Sequence, residues 1–380
     1  MRVRHSGGQP LHLSYCTNVH PAEDLPGILA QLDVYALPIR ERLGADLLGL
    51  GLWLAAPAAA ALAADRTARR RLRAELDARG LEVVTLNGFP YRAFQAPVVK
   101  YDVYHPDWTT PDRLRYTLDL ARVLVDLLPD DAARGSISTL PLAWRDPWRP
   151  DQREAAARML DRLASGLGEI EGRTGRTIRV GFEPEPGCIV ETTGQAAELL
   201  SAVDTDRLGV CLDLAHLACA WEEPADALRP LADAGLPVVK VQVSAALEVA
   251  DPVAAEPVLR QYAEPRFLHQ TRSAAGPSAD DLDLALAGDL PGPWRVHFHV
   301  PLHVAPAPPL SSTTAVIEGV LRDLMSADEP WCDHLDVETY TWDVLPADRR
   351  PAGPAELADG IAGELAWTRD LLSRVAEARS

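Results

Sequence analysis

Apolar and polar positions alternate with a period of two in a series of short runs spread along the chain. Val180 and Phe182 oppose Gly181, Glu183 and Glu185, while Val210 and Leu212 oppose Gly209, Cys211 and Asp213. Val239, Val241 and Val243 oppose Lys240, Gln242 and Ser244. Val296 and Phe298 oppose Arg295, His297 and His299, and Leu335 and Val337 oppose Asp336 and Glu338. Such alternation marks strands with unlike faces. Predicted strands are Leu11–Asn18, Leu47–Leu52, Leu81–Leu86, Ser136–Leu140, Thr177–Glu183, Leu208–Asp213, Val238–Ser244, Arg295–Val300 and Leu335–Thr339. Helical patterns lie between most of them, over Pro26–Leu43, Pro111–Leu128, Asp151–Glu171, Gly194–Val203, Ser312–Met325 and Glu356–Ala376. Pro57 and Pro111 stand early in helices and Gly80 just past one, where each is favoured.

Strands alternating with helices predict a parallel sheet. No Gly-x-Gly-x-x-Gly follows the first strand, so the dinucleotide fingerprint is missing. Polar residues recur at many strand ends, whereas an open sheet gathers them at one switch point. The expected architecture is therefore an α/β (β/α)8 TIM barrel, with apolar faces under the helices and polar faces at the mouth. Nine predicted strands exceed eight places, and Arg295–Val300 is the one expected to be an addition. A long insertion is expected over about residues 245–293, rich in Ala, Pro, Asp and Gly. No linker breaks the chain, which reads as a single domain.

Bulk composition narrows the functional classes. The chain has 380 residues, 47% hydrophobic and 24% charged, with a formal net charge of −18. That acidity disfavours a nucleic-acid partner, whose phosphates call for Lys and Arg. Five cysteines without a Cys-x-x-Cys pair argue against a disulfide scaffold and for a reduced, cytoplasmic setting. The first residues lack the apolar core of a signal peptide. Leu47–Ala64 holds no charge and nears the length of a membrane span. Pro57 divides it, however, into a buried strand and an Ala-rich helix expected to continue through Arg69–Leu76. A small-molecule substrate, no membrane span and a possible homo-oligomer are the expected associations.

Chemistry-bearing side chains sit at strand ends. Asp213 and His216 offer oxygen and nitrogen to one metal, or an N-cap and a surface histidine. Glu183 and Glu185, on one face between prolines, repel unless a cation or proton lies between them. Glu338 completes a carboxylate-rich set. Gln242 offers a neutral oxygen. Lys240 offers an acid/base group, or a salt bridge inside the barrel. His297 and His299 share a face and could bind metal or substrate. Asn18 and His20 are expected at the mouth, and His269 and Arg272 lie in the polar patch of the insertion. Lys100–Trp108 mixes aromatic and polar groups suited to stacking on a sugar ring. The expected cofactor is a divalent cation, Mn²⁺, Zn²⁺ or Mg²⁺. Two other readings are a metal-free glycosidase using Glu183 and Glu338, about 5–10 Å apart, and a non-catalytic metabolite carrier.

These blocks resemble the xylose isomerase-like TIM-barrel superfamily of sugar isomerases, epimerases and endonuclease IV-type enzymes. The resemblance implies metal ligands at Glu183, Asp213, the seventh strand and Glu338, with His216 three residues after Asp213. Gln242 stands where that pattern has histidine, and His297 or His299 is the alternative. Within the superfamily the chain is similar to the EboE-like metabolite traffic proteins, through His12–Pro21, Leu86–Tyr91, Phe182–Cys188 and Leu335–Trp342. That likeness implies a role in making or moving a secondary metabolite. The residues themselves are read with Glu183, Glu338 and Lys240 as catalytic groups and Asn18, His20, Glu185, His269, Arg272, His297 and His299 near the substrate.

Overall fold

A computed structural model describes residues 1–377. Eight parallel strands close into a barrel: β1 Pro10–Cys16, β2 Leu48–Trp53, β3 Leu81–Asn87, β4 Gly135–Thr139, β5 Ile178–Phe182, β6 Leu208–Asp213, β7 Val238–Val243 and β8 His334–Val337. Each pairs with the next, and β8 pairs with β1 to close the ring. The apolar faces Val180, Phe182, Val210, Val241 and Leu335 are buried beneath the helices. A short antiparallel strand, Arg2–Arg4, pairs with β1.

The inner face also carries polar side chains, and of the two readings of Lys240 the salt bridge inside the barrel is the one formed. Lys240 and Asp336 form a fully buried ion pair at 2.8 Å, and the Ser14 hydroxyl donates to Asp336 at 2.7 Å. Gly51 makes room for it, since a Cβ there would overlap the Asp336 carboxylate. Such a filling differs from the branched apolar layers common in these barrels.

The helix expected to run from Pro57 through Leu76 is two helices, Ala56–Ala64 and Arg66–Ala78. Asp65 leaves the helical region at φ −119° and its carboxylate accepts from the Thr67 and Ala68 amides. A competing N-cap ends one helix and begins the next. The uncharged Leu47–Ala64 run is thus β2 and a helix, and no described helix is long and apolar enough to cross a membrane.

Between β7 and β8 the chain builds a separate antiparallel sheet. Its strand order is Ser278–Ala279, Thr271–Ser273, Trp294–Val300, Ala245–Val249, Ser311–Ser312. Trp294–Val300 is thus the added strand among the nine predicted, and the sheet runs beyond residue 293 to Ser312. Its register against Ala245–Val249 slips between Val296 and His299. Irregularities of this kind commonly re-aim side chains beside a site. The slip coincides with His297.

Candidate metal and substrate site

Glu183 follows β5, and its amide stays in the sheet by donating to the Thr139 carbonyl at 2.9 Å. Pro184 then prevents further pairing. Glu185 therefore leaves the strand face shared by Gly181 and Glu183, and its carboxylate accepts from the Tyr104 hydroxyl at 2.7 Å. Asp213 ends β6 and caps the helix Leu214–Cys219. Its two oxygens divide the work. Oδ1 accepts from the Ala215 and His216 amides and the Ser244 hydroxyl, while Oδ2 is buried without a partner. The N-cap and ligand readings of Asp213 are thus compatible in one side chain.

Two imidazoles, His216 and His299, lie beside this carboxylate, and a third, His297, adjoins them. His216 Nδ1 lies 3.0 Å from the Pro184 carbonyl, and His299 Nδ1 lies 2.8 Å from the Glu338 carbonyl. His297 Nδ1 lies 2.8 Å from Gln270 Oε1. Gln270 spends its amide hydrogens on Tyr104 and Pro186, so its oxygen must accept. Carbonyl oxygens only accept, so all three Nδ1 atoms carry hydrogen and all three Nε2 atoms present lone pairs. His299 Nε2 is buried without a hydrogen-bond partner and stands 4.0 Å from Asp213 Oδ2. His216 Nε2 and His297 Nε2 are 2.9 Å apart.

Glu338 extends from β8 and is held by amides. Oε1 accepts from Asn18 at 2.7 Å and Asn87 at 2.9 Å, and Oε2 accepts from Gln242. The Gln242 oxygen in turn accepts from the Cys211 thiol at 2.9 Å. Gln242 thereby has both ends of its amide engaged, and the imidazole 4.0 Å from the unpartnered Asp213 Oδ2 is that of His299, from the added sheet.

Burial dominates the electrostatics. It pushes the Glu183 carboxyl well above its ordinary range, reinforced by the charges of Glu338 and Asp213. It lifts Glu185 and Glu338 to about 8. Burial also raises Asp213, but His216, His299 and the Ser244 hydroxyl more than offset it, leaving a net lowering. Burial drops His216 to about 4 and lowers His297 and His299 as well. Neutral imidazoles and crowded carboxylates are the donors divalent cations select.

A metal fits this donor set. Glu183 Oε2, Asp213 Oδ2 and His299 Nε2 are all buried and unpartnered. Ligand atoms lie within 4.8 Å of one another in three groups: Glu183, Asp213 and His216; Asp213, His299 and Glu338; His216, His297 and His299. Other buried atoms also lack partners, and these three are set apart because their groups cluster within ligand distance of one another.

The remaining expected residues lie elsewhere. Lys240 is committed to Asp336 inside the barrel. His20 stacks on Tyr35 at 4.1 Å and meets Tyr15, away from the carboxylates. His269 bridges Glu264 and the His297 carbonyl, and Arg272 pairs with Glu191; both brace the added sheet. Residues missing from the predicted set are Asn87, Tyr104, Ser244, Gln270 and Tyr340. Asn87 and Ser244 obey the same strand-end alternation as their neighbours. Gln270 sits in the polar patch and Tyr104 in the aromatic loop, but their partners come from distant segments.

A closed ring of parallel strands with acidic and imidazole groups above its C-terminal ends defines a TIM-barrel protein with a possible metal centre. The sequence profile of the xylose isomerase-like TIM barrel family matches residues 41–254, and the chain belongs to that family. The matched span holds Glu183, Asp213, His216 and Gln242, and ends before His297, His299 and Glu338. No protein of curated function matches the chain. Among solved structures, a xylose isomerase-like TIM barrel protein from Mycobacterium smegmatis in complex with magnesium is similar. It has 13% identity and a TM-score of 0.55 over 96% of this chain and 98% of that one. L-ribulose 3-epimerase is similar at 12% identity and TM-score 0.53, covering 97% and 98%. The D-allulose 3-epimerase from Methylomonas sp., solved with D-allulose, is similar at 11% identity and TM-score 0.52, covering 97% and 99%.

Proposed function

We propose that the protein is a divalent-metal-dependent isomerase or epimerase acting on a small polyhydroxy metabolite. The observation that carries this reading is the set of three buried, unpartnered ligand atoms, Glu183 Oε2, Asp213 Oδ2 and His299 Nε2. Glu183, Asp213, Glu338 and His299 would hold the cation, with His299 taking the place first assigned to Gln242. When bound, the cation would polarise a substrate carbonyl and acidify the neighbouring C–H.

The chain's own residues supply the rest. Asn18, Asn87 and Gln242 fix the Glu338 carboxylate by three donated hydrogen bonds. Glu183, whose burial beside Glu338 and Asp213 raises its pKa, would be held as a carboxylate by the cation and is placed to take a proton from the substrate. Glu185, kept in place by Tyr104 and Gln270, would accept from a substrate hydroxyl. Lys240 balances charge through Asp336 below the site. Likeness to epimerase folds and to EboE-like proteins supports a polyol or cyclitol substrate in secondary metabolism.

Elemental analysis of wild type beside Asp213→Ala tests the reading. About one equivalent of metal, lost in the variant, with isomerisation in a sugar and cyclitol screen, is the expected result. Turnover in chelator would favour the glycosidase, and ligand binding without turnover would favour the carrier.

A further inference from the structure

The cleft above the carboxylates has two unlike sides. Its floor is Glu183, Glu185, Glu338, Asn18 and the three histidines. The rest of its lining is largely apolar and includes Phe89, Phe94, Val99, Phe267, Leu268 and Tyr340. Phe94, Phe267 and Tyr340 form a triangle of rings with centroids 4.8–5.2 Å apart. Tyr340 also lies 4.7 Å from the His299 ring, so the apolar wall begins at the edge of the metal-binding groups.

This wall joins two segments. The Val99 and Lys100 amides both donate to the Arg266 carbonyl at 2.8 Å, pinning the loop after β3 to the loop that precedes the inserted strand Thr271–Ser273. The cleft they border has about 500 Å³ of empty space, part of it open to solvent, which is the size range of small-molecule sites. A ligand that covers the aromatic triangle there removes apolar surface from water.

The cleft also lacks a free cationic side chain. Lys100 is the only Lys or Arg among the described residues lining it. Its ammonium is held by Asp281 at 2.5 Å and the Glu264 carbonyl at 3.3 Å. Arg266 is tied to Asp343 and Gln95. A phosphorylated sugar would find acidic floor groups and no Lys or Arg free to pair with its phosphate.

We propose that the ligand is an uncharged amphiphile: a polyhydroxy unit bearing an aromatic-sized apolar substituent, the hydroxyl end on the floor and the substituent against Phe94, Phe267 and Tyr340. The polar half of this assignment rests on the metal-dependent reading above; the apolar half rests on the wall alone.

The test is calorimetric titration of Mn²⁺-loaded protein with three hydroxamates, which chelate through paired oxygens whatever the sugar stereochemistry. Benzohydroxamate is expected to bind at least tenfold more tightly than acetohydroxamate, and phosphonoacetohydroxamate no more tightly than acetohydroxamate. Phe94→Ala and Phe267→Ala are each expected to cut the aryl-to-methyl ratio below threefold. Equal binding of the aryl and methyl probes in wild type, or tightest binding of the phosphonate, overturns the proposal without recourse to the variants. Metal content of the same sample separates the two failures. If no metal is retained, the metal-dependent reading falls. Phenyl and methyl β-D-glucosides, which need no metal, then replace the hydroxamates under the same tenfold criterion.

Discussion

His216 Nε2 and His297 Nε2 face each other at 2.9 Å, each on a ring whose Nδ1 is hydrogen-bonded to an oxygen that can only accept. Two lone pairs at this distance repel unless a proton or cation lies between them. Replacing His297 by Phe removes one lone pair but leaves the buried Gln270 oxygen without its donor, so the metal-free protein is expected to lose about 1–3 kcal/mol, less what the relieved repulsion returns. Divalent-metal affinity is expected to fall roughly 10–100-fold, the usual scale for losing a group that supports a metal ligand. Chemical unfolding of chelated protein and metal titration of the reloaded protein check the two halves separately.

His299 and Gln242 compete for one role, and their hydrogen bonds distinguish them. Gln242 binds Glu338 through its nitrogen and Cys211 through its oxygen, whereas His299 Nε2 is unpartnered. His299→Ala is therefore expected to abolish stoichiometric metal binding. Gln242→Ala is expected to retain metal while loosening Glu338, costing about 1–3 kcal/mol of stability through the unsatisfied buried groups. Metal content of the two purified variants decides the matter; loss in Gln242→Ala and retention in His299→Ala would restore glutamine as the ligand.

Much of this arrangement was legible in the chain because strand-end side chains inherit their direction from period-two alternation. Glu183, Asp213 and Glu338 meet because β5, β6 and β8 end at one rim, and Asp213 and His216 meet because one turn of helix separates them. The histidine pair was legible as a shared strand face. Its destination was not, since it depends on a sheet folding back over the barrel from between β7 and β8. His20, His269 and Arg272 carry the same residue-type signal, yet their contacts are with Tyr15, Glu264 and Glu191, outside the carboxylate cluster. Residue type announces chemical capacity, and only the partners show whether it is already used.

Lys240 and Asp336 are both fully buried and lie 2.8 Å apart. Removing one charge leaves the other without compensation, so Lys240→Met is expected to cost about 3–5 kcal/mol. The double variant Lys240→Met, Asp336→Asn keeps an acceptor for the Ser14 hydroxyl and is expected to recover most of that loss. Urea unfolding of the two single variants and the double completes a thermodynamic cycle. An additive result would show that the two groups do not stabilise each other.

Glu364 gives the fold a pH dependence distinct from the site's. Its carboxyl is buried, accepting from the Thr339 hydroxyl at 2.6 Å and the Leu302 amide at 3.2 Å. Burial raises its pKa from 4.5 to about 7, against those two hydrogen bonds. Between these values the folded chain holds a proton that the unfolded chain has released. Stability therefore falls as pH rises from about 4.5 through 7 and levels off above, by an amount on the order of 3 kcal/mol. Below 4.5 both states are protonated and the contribution is flat. Glu364→Gln keeps an accepting oxygen for Thr339 and cannot ionise. Relative to wild type it should gain stability progressively from pH 5 to pH 8, by roughly 2–3 kcal/mol. Urea unfolding of both proteins in chelator across that range measures the difference directly. Parallel stability curves would mean that the Glu364 carboxyl titrates alike in the folded and unfolded chains.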